Sequence, residues 1–135
     1  MTRPLLSIVV PLYRSADSIE RLIQELSALP VDGGCELVLV NDGSPDNTAE
    51  LAEKFMQSSS RAITLVKLSR NFGEYNAVMA GLHHAQGEYI VTMDDDLQNP
   101  PSEVLKLLQH ARTGGYDVVY SYYAITTSAG MLEQL

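Results

Sequence analysis

The chain has 135 residues, 45% hydrophobic and 19% charged, with six prolines and nine glycines, which is one globular domain's worth of sequence. Seventeen acidic residues against nine basic ones give a formal charge of −8, which argues against a general nucleic-acid binder or a ligand of anionic membrane surfaces. A single cysteine, Cys35, excludes an internal disulfide and a cysteine-based zinc site, and no stretch approaches the roughly 20 apolar residues of a membrane helix. The N-terminal apolar run is short, contains Pro11 and lacks the small-residue cleavage site of a signal peptide.

In chain order, Leu5 to Leu12 is a nearly continuous Ile/Val-rich run, the pattern of a strand buried on both faces. Ile19, Leu22, Ile23, Leu26 and Leu29 then fall at helical spacing, with Asp17 and Glu20 placed for a capping box and Pro30 as the stop. Glu36 to Val40 predicts a second buried strand, in which Cys35 is an inert, half-buried thiol. A turn-rich Asn41 to Asn47 follows, with Asp46 or Asn47 capping a second helix built on Leu51, Ala52, Phe55 and Met56. Ala62 to Leu68 predicts a third strand. A third helix runs from about Gly73 to Ala85, with Tyr75, Val78, Met79 and Leu82 inward and His83 and His84 on the surface. Glu88 to Met93 is a fourth strand. Pro100 and Pro101 suit the first turn of a fourth helix, lined by Val104, Leu107, Leu108 and Ala111 and stopped by Gly114-Gly115. Asp117 to Tyr122 predicts a fifth strand, and Ala129 to Leu135 is faintly helical.

Alternating β and α units with buried strands predict an α/β fold, a mainly parallel sheet with helices on both faces. Residues 1–123 form the expected domain. Residues 124–135 form a tail that begins an acceptor-side segment, so the chain is expected to be the first part of a larger domain. An incomplete sheet edge near the C-terminus offers a route to a homo-oligomer.

Open α/β sheets bind ligands beyond the carboxyl ends of their strands. Those ends deliver Pro11, Leu12 and Tyr13; then Asn41, Asp42 and Gly43; then Ser69, Arg70 and Asn71; then Asp94, Asp95, Asp96, Gln98 and Asn99. Three adjacent carboxylates repel one another unless a cation sits among them, and oxygen donors suit Mg²⁺ or Mn²⁺. In an extended segment Asp94 and Asp96 point to one side and Asp95 to the other. Asp42 is placed to accept from a nucleobase or a sugar hydroxyl. Arg70 either binds a phosphate or pairs with a neighbouring aspartate, and Tyr13 either stacks on a base or is a half-buried core residue.

Val9 to Tyr13, Val40 to Thr48, Arg70-Asn71-Phe72-Gly73 and Asp94 to Pro101, in order and in register, resemble the family 2 glycosyltransferases, in particular the polyprenyl-phosphate branch. The resemblance covers nearly all of residues 5 to 122. It implies a GT-A fold with a Rossmann-like nucleotide-binding half, and an inverting, metal-dependent transfer from a UDP- or GDP-linked sugar to a polyprenyl phosphate. By matching position, Pro11, Tyr13 and Asp42 hold the nucleoside. Asp94, Asp96 and Gln98 hold Mg²⁺ or Mn²⁺ and the diphosphate; Asp94 and Asp96 carry the catalytic role, and Asp95 and Arg70 belong to the donor site. It also implies a cytoplasmic protein, its parent at the cytoplasmic face of the membrane, engaging the membrane through a lipid acceptor or later segments. Three positions depart from the family's usual pattern: Arg14 and Ser15 stand where Asn-Glu usually follows the Tyr, and Asp95 occupies a position that is often small. A non-catalytic module that holds nucleotide and metal without transfer is the alternative. A receiver-type signalling domain wants paired acids after its first strand, where this chain has Pro11 and Tyr13.

Overall fold

The computed structural model describes residues 3–98 and 100–119, and the backbone of Tyr123–Thr127 and Gly130–Gln134. Strands β1 (Leu6–Leu12), β2 (Cys35–Asn41), β3 (Ala62–Lys67) and β4 (Tyr89–Thr92) alternate with helices α1 (Ile19–Ala28), α2 (Thr48–Met56), α3 (Glu74–His84) and α4 (Ser102–Gly114). The four strands form one parallel sheet in the order β3-β2-β1-β4.

Strand parity divides the core. Leu6, Ile8, Val10 and Leu12 of β1, with Leu37 and Leu39 of β2, pack against α1, α2 and α4 through Ile19, Leu22, Leu26, Ala52, Val104 and Leu108. Val9, Val38 and Val40 face the other way and pack against α3. Both central strands are apolar on each face because each face is covered. A fully buried aliphatic side chain here contributes about 1.5–3 kcal/mol. Strands β3 and β4 alternate between half-buried and exposed positions, so the expectation of fully buried strands holds for the central pair alone.

Helix α3 differs from its predicted orientation. Its buried residues are Ala77 and Gly81, while Tyr75 is 85% and Met79 46% exposed. The helix lies so close to β1 that a Cβ on Gly81 would come within 2.4 Å of Val9 Cγ1. Only small residues fit that seam, and Tyr75 and Met79 are turned outward, while Val78 is half-buried and Leu82 packs against the Val9, Val38 and Val40 cluster as predicted. The capping box at Asp17 and Glu20 is also absent. Ser18 is the N-cap and makes no side-chain cap bond; the N–H groups of Ser18 and Ile19 donate to Ser15 O instead. For α2 the N-cap is Asn47, but the carboxylate that accepts is Asp46, from Thr48 N–H at 3.2 Å and Thr48 Oγ1 at 2.5 Å. Gly115, left-handed at φ 63°, ends α4 as its position predicts, its N–H donating to Ala111 O.

The predicted fifth strand is not present at Asp117, Val118 and Val119; Val118 is exposed there, and residues 120–122 lie outside the described residues. A strand β5 (Tyr123–Thr127) instead pairs antiparallel with β6 (Gly130–Gln134) in a separate two-stranded sheet, where a faint helix is predicted. Ile125, Thr126 and Thr127 are β-branched and favour extended backbone, and their pairing recruits a partner segment with little preference of its own.

Candidate functional site

Strands β1 to β3 are laid down in one direction, and β4 returns to the other side of β1, so the strand order reverses between β1 and β4. Pairing between those two strands ends where Met93 N–H donates to Val9 O at 3.1 Å. Pro11, two residues on and facing the same neighbour, has no N–H to offer. The strands part there, and a cleft of about 390 Å³ opens at that point.

Pro11, Leu12 and Tyr13 form one wall of the cleft, Asp42 its floor, Asn71, Gly73 and Glu74 a second wall, and Asp94, Asp95 and Asp96 the third. All four strand ends therefore contribute, as the sequence predicts. Tyr13 is 42% exposed, with the Arg14 guanidinium 5.5 Å from its ring centroid, which leaves the ring available for stacking rather than held in the core. Asp42 is buried. Its N–H donates to Leu12 O at 2.9 Å, and its carboxylate accepts from Phe72 N–H at 2.8 Å, tying the loop after β3 to the loop after β2. Gly43 makes that contact possible: at φ 65°, a Cβ there would sit 2.3 Å from the backbone of Arg70 and Asn71.

Asp95 turns toward the loop after β1, where it accepts from the Ser15 hydroxyl and, at 3.5 Å, from Tyr13 N–H. Asp96 accepts from Gln98 N–H at 3.1 Å, within a turn in which Leu97 holds a left-handed φ of 59°. Arg70 and Gln98 are brought near the cleft but do not line it. Arg70 stacks over Phe72, 4.6 Å from the ring centroid, and is in no salt bridge among the described residues. His83 and His84 are exposed on α3, as predicted.

Glu74 is absent from the sequence reading, which follows strand three only as far as Asn71. It is the first residue of α3, directly after the Arg70–Gly73 segment, and a helix starting at a carboxyl edge presents its first turn to that edge. Its carboxyl is held above its ordinary value of 4.5, chiefly by the hydrogen bond it shares with Asp94, then by the charge of Asp94, by burial and by the charge of Asp95. Like charge is thus concentrated in the cleft, with five carboxylates lining it and no basic side chain among the lining residues.

No three Asp, Glu, His or Cys side chains among the described residues converge to hold a metal by themselves. The donor set nonetheless fits Mg²⁺ or Mn²⁺. Both are hard cations that take oxygen ligands, and Mg²⁺ commonly uses one or two carboxylates with substrate phosphates completing the shell. Asp94 and Asp96, which line the cleft, carry oxygens of that kind. No helix among the described residues is long and apolar enough to cross a membrane.

Residues 7–129 match the family described as Glycosyl transferase family 2. The chain is 41% identical over 115 residues to an undecaprenyl-phosphate 4-deoxy-4-formamido-L-arabinose transferase of Edwardsiella ictaluri, covering 84% of this chain and 35% of that protein. Among solved structures it is similar to the mannosyltransferase PcManGT of Pyrobaculum calidifontis in complex with GDP-Man and Mn²⁺, with a TM-score of 0.66 and 30% identity over 78% of this chain and 31% of that one. It is also similar to glucosyl-3-phosphoglycerate synthase of Mycobacterium tuberculosis, solved with Mn²⁺, UDP and glucosyl-3-phosphoglycerate, with a TM-score of 0.61 and 28% identity over 79% of this chain and 39% of that one. The chain spans about a third of the length of the curated relative.

Proposed function

The chain belongs to glycosyl transferase family 2, and from that premise we propose that its cleft is the donor site of an inverting transferase that moves a sugar from a nucleotide sugar to a polyprenyl phosphate. The observation that carries the proposal is the convergence of Asp94 and Asp96 with Asp42 and Tyr13 at the point where β1 and β4 part. Support for the acceptor comes from the relative's name, and support for a nucleotide with a divalent cation from the two complexes just described.

In this proposal Pro11 and Tyr13 flank the base, and Asp42, buried and already oriented by Phe72 N–H, accepts from the base or a sugar hydroxyl. Asp94 and Asp96 would hold Mg²⁺ or Mn²⁺, with Gln98 beside them, and Arg70 would bind a phosphate from the rim. When bound, the cation offsets the charge that the diphosphate gains as its bond to the anomeric carbon breaks. A phosphate monoester acceptor is ionised near neutral pH, so its oxygen attacks the anomeric carbon without a general base. Such a lipid acceptor sets the work at a membrane surface, and the cytoplasmic face is the side we propose.

Calorimetric titration of UDP and of GDP, with Mn²⁺ and again with EDTA, tests the donor site. One nucleotide is expected to bind with Mn²⁺, to lose binding in EDTA, and to lose its metal dependence in Asp96→Ala. Failure of both nucleotides to bind the folded protein overturns the proposal.

A further inference from the structure

We propose that Asp95, the middle acid of the triplet, is a positioning residue: its carboxylate clamps the loop after β1 to the loop after β4 and so sets the gap that a nucleotide must span. The inference rests on the donor-site reading above and goes beyond it, because that reading gives Asp95 a place in the donor site but no task of its own.

The contact is built from both sides. Ser15 is only 3% exposed, and its N–H donates at 2.9 Å to Thr48 Oγ1, at the start of α2. Thr48 is itself fully buried and donates to Asp46 through both its N–H and its hydroxyl. Ser15 is thus held at its backbone, and its hydroxyl donates to Asp95. The same carboxylate oxygen accepts from Tyr13 N–H at 3.5 Å. One chain of bonds, Asp46–Thr48–Ser15–Asp95, therefore joins the loops that follow β2, β1 and β4. Asp95 and Asp96 lie in a turn rather than in extended backbone, so the alternation expected of an extended segment does not apply, and it is these two bonds that set Asp95 apart: one of its carboxylate oxygens is engaged by a hydroxyl and an amide of the loop after β1.

The test uses UDP and GDP with Mn²⁺ on the wild type, Asp95→Ala, Asp95→Asn, Ser15→Ala and the Ser15→Ala/Asp95→Ala double variant, with thermal melts of each. Asp95→Ala and Ser15→Ala are each expected to weaken nucleotide binding roughly tenfold, the double variant no further than either single one. Asp95→Asn keeps an oxygen that accepts both bonds and is expected to bind within about threefold of wild type, as Asp→Asn at a metal ligand would not. Mn²⁺ dependence should persist in all of them. Asp95→Asn as damaging as Asp95→Ala, or loss of Mn²⁺ dependence in either, makes Asp95 a ligand and overturns the proposal. Wild-type affinity in Asp95→Ala, or additive losses of melting temperature in the double variant, overturns it as well. A wild type that binds neither nucleotide overturns the donor-site reading and the positioning role with it.

Discussion

The two ends of the parallel sheet both carry acids, and they treat them differently. At the amino end Glu36 accepts from the Ser7 hydroxyl and from Gln86 N–H, each at 2.6 Å, Ser7 Oγ accepts from Gly87 N–H at 2.8 Å, and Arg3 donates to the carbonyls of Gln86 and Gly87. Glu36 and Arg3 each have partners there, and the network pins the turn before β4 to β1 and β2. At the carboxyl end Asp94, Asp95, Asp96 and Glu74 line one cleft, the charges of Asp94 and Asp95 bear on Glu74, and no ion pair among the described residues relieves them. Matched acids hold a fold together. Acids gathered along one cleft repel one another, and a cation bound there would relieve that repulsion.

Two glycines break this contrast most forcefully. Gly43→Ala places a Cβ against the backbone of Arg70 and Asn71 at a positive φ, whereas Gly87→Ala places one 2.6 Å from the Ser7 nitrogen at the opposite end. Each is expected to cost about 2–4 kcal/mol in denaturant melts. Gly43→Ala should also weaken nucleotide binding more than tenfold, while the folded fraction of Gly87→Ala keeps its affinity within about twofold. Equal effects on binding would mean that the two ends are not separable.

A milder cut is Ser7→Ala, which leaves the buried Gly87 N–H without an acceptor and Glu36 without one of its donors. The expected loss is about 1–3 kcal/mol of stability with nucleotide affinity unchanged, read from urea unfolding and the same titration. The smallest effect is on pH dependence. Glu74 is raised above 4.5 in the folded chain, so the native state holds that proton more tightly than the unfolded state does. Its contribution is fully present below that value and is lost as pH rises from 4.5 through the raised value. Glu74→Gln should flatten the fall in melting temperature across that window, and an unchanged slope would remove Glu74 as its source.

Much of this was legible in the residues. Continuous apolar runs bounded by turn residues marked β1 and β2, and the carboxyl-end rule led from them to Asp42 and to Asp94, Asp95 and Asp96. The orientation of α3 was legible only in part: apolar spacing places Leu82 inward, as found, but also Tyr75 and Met79, which the close approach of Gly81 to Val9 leaves outside. Glu74 was missed for want of three more residues beyond Asn71. The β5–β6 pairing is decided between segments rather than within them, which local propensity does not reveal. The bond between Ser15 and Asp95 joins positions 80 residues apart, and neither residue type announces the other.

The acids hang from a strand that pairs, among the described residues, along four positions of β1 and nowhere else, while Asp42 follows a strand paired on both sides. Local opening is governed by such differences in support. The nucleoside side of the cleft therefore belongs to the part of the molecule that opens last, and the acid loop to a part that opens earlier. A ligand that grips both would act as a brace, lending the short outer strand some of the permanence of the central pair.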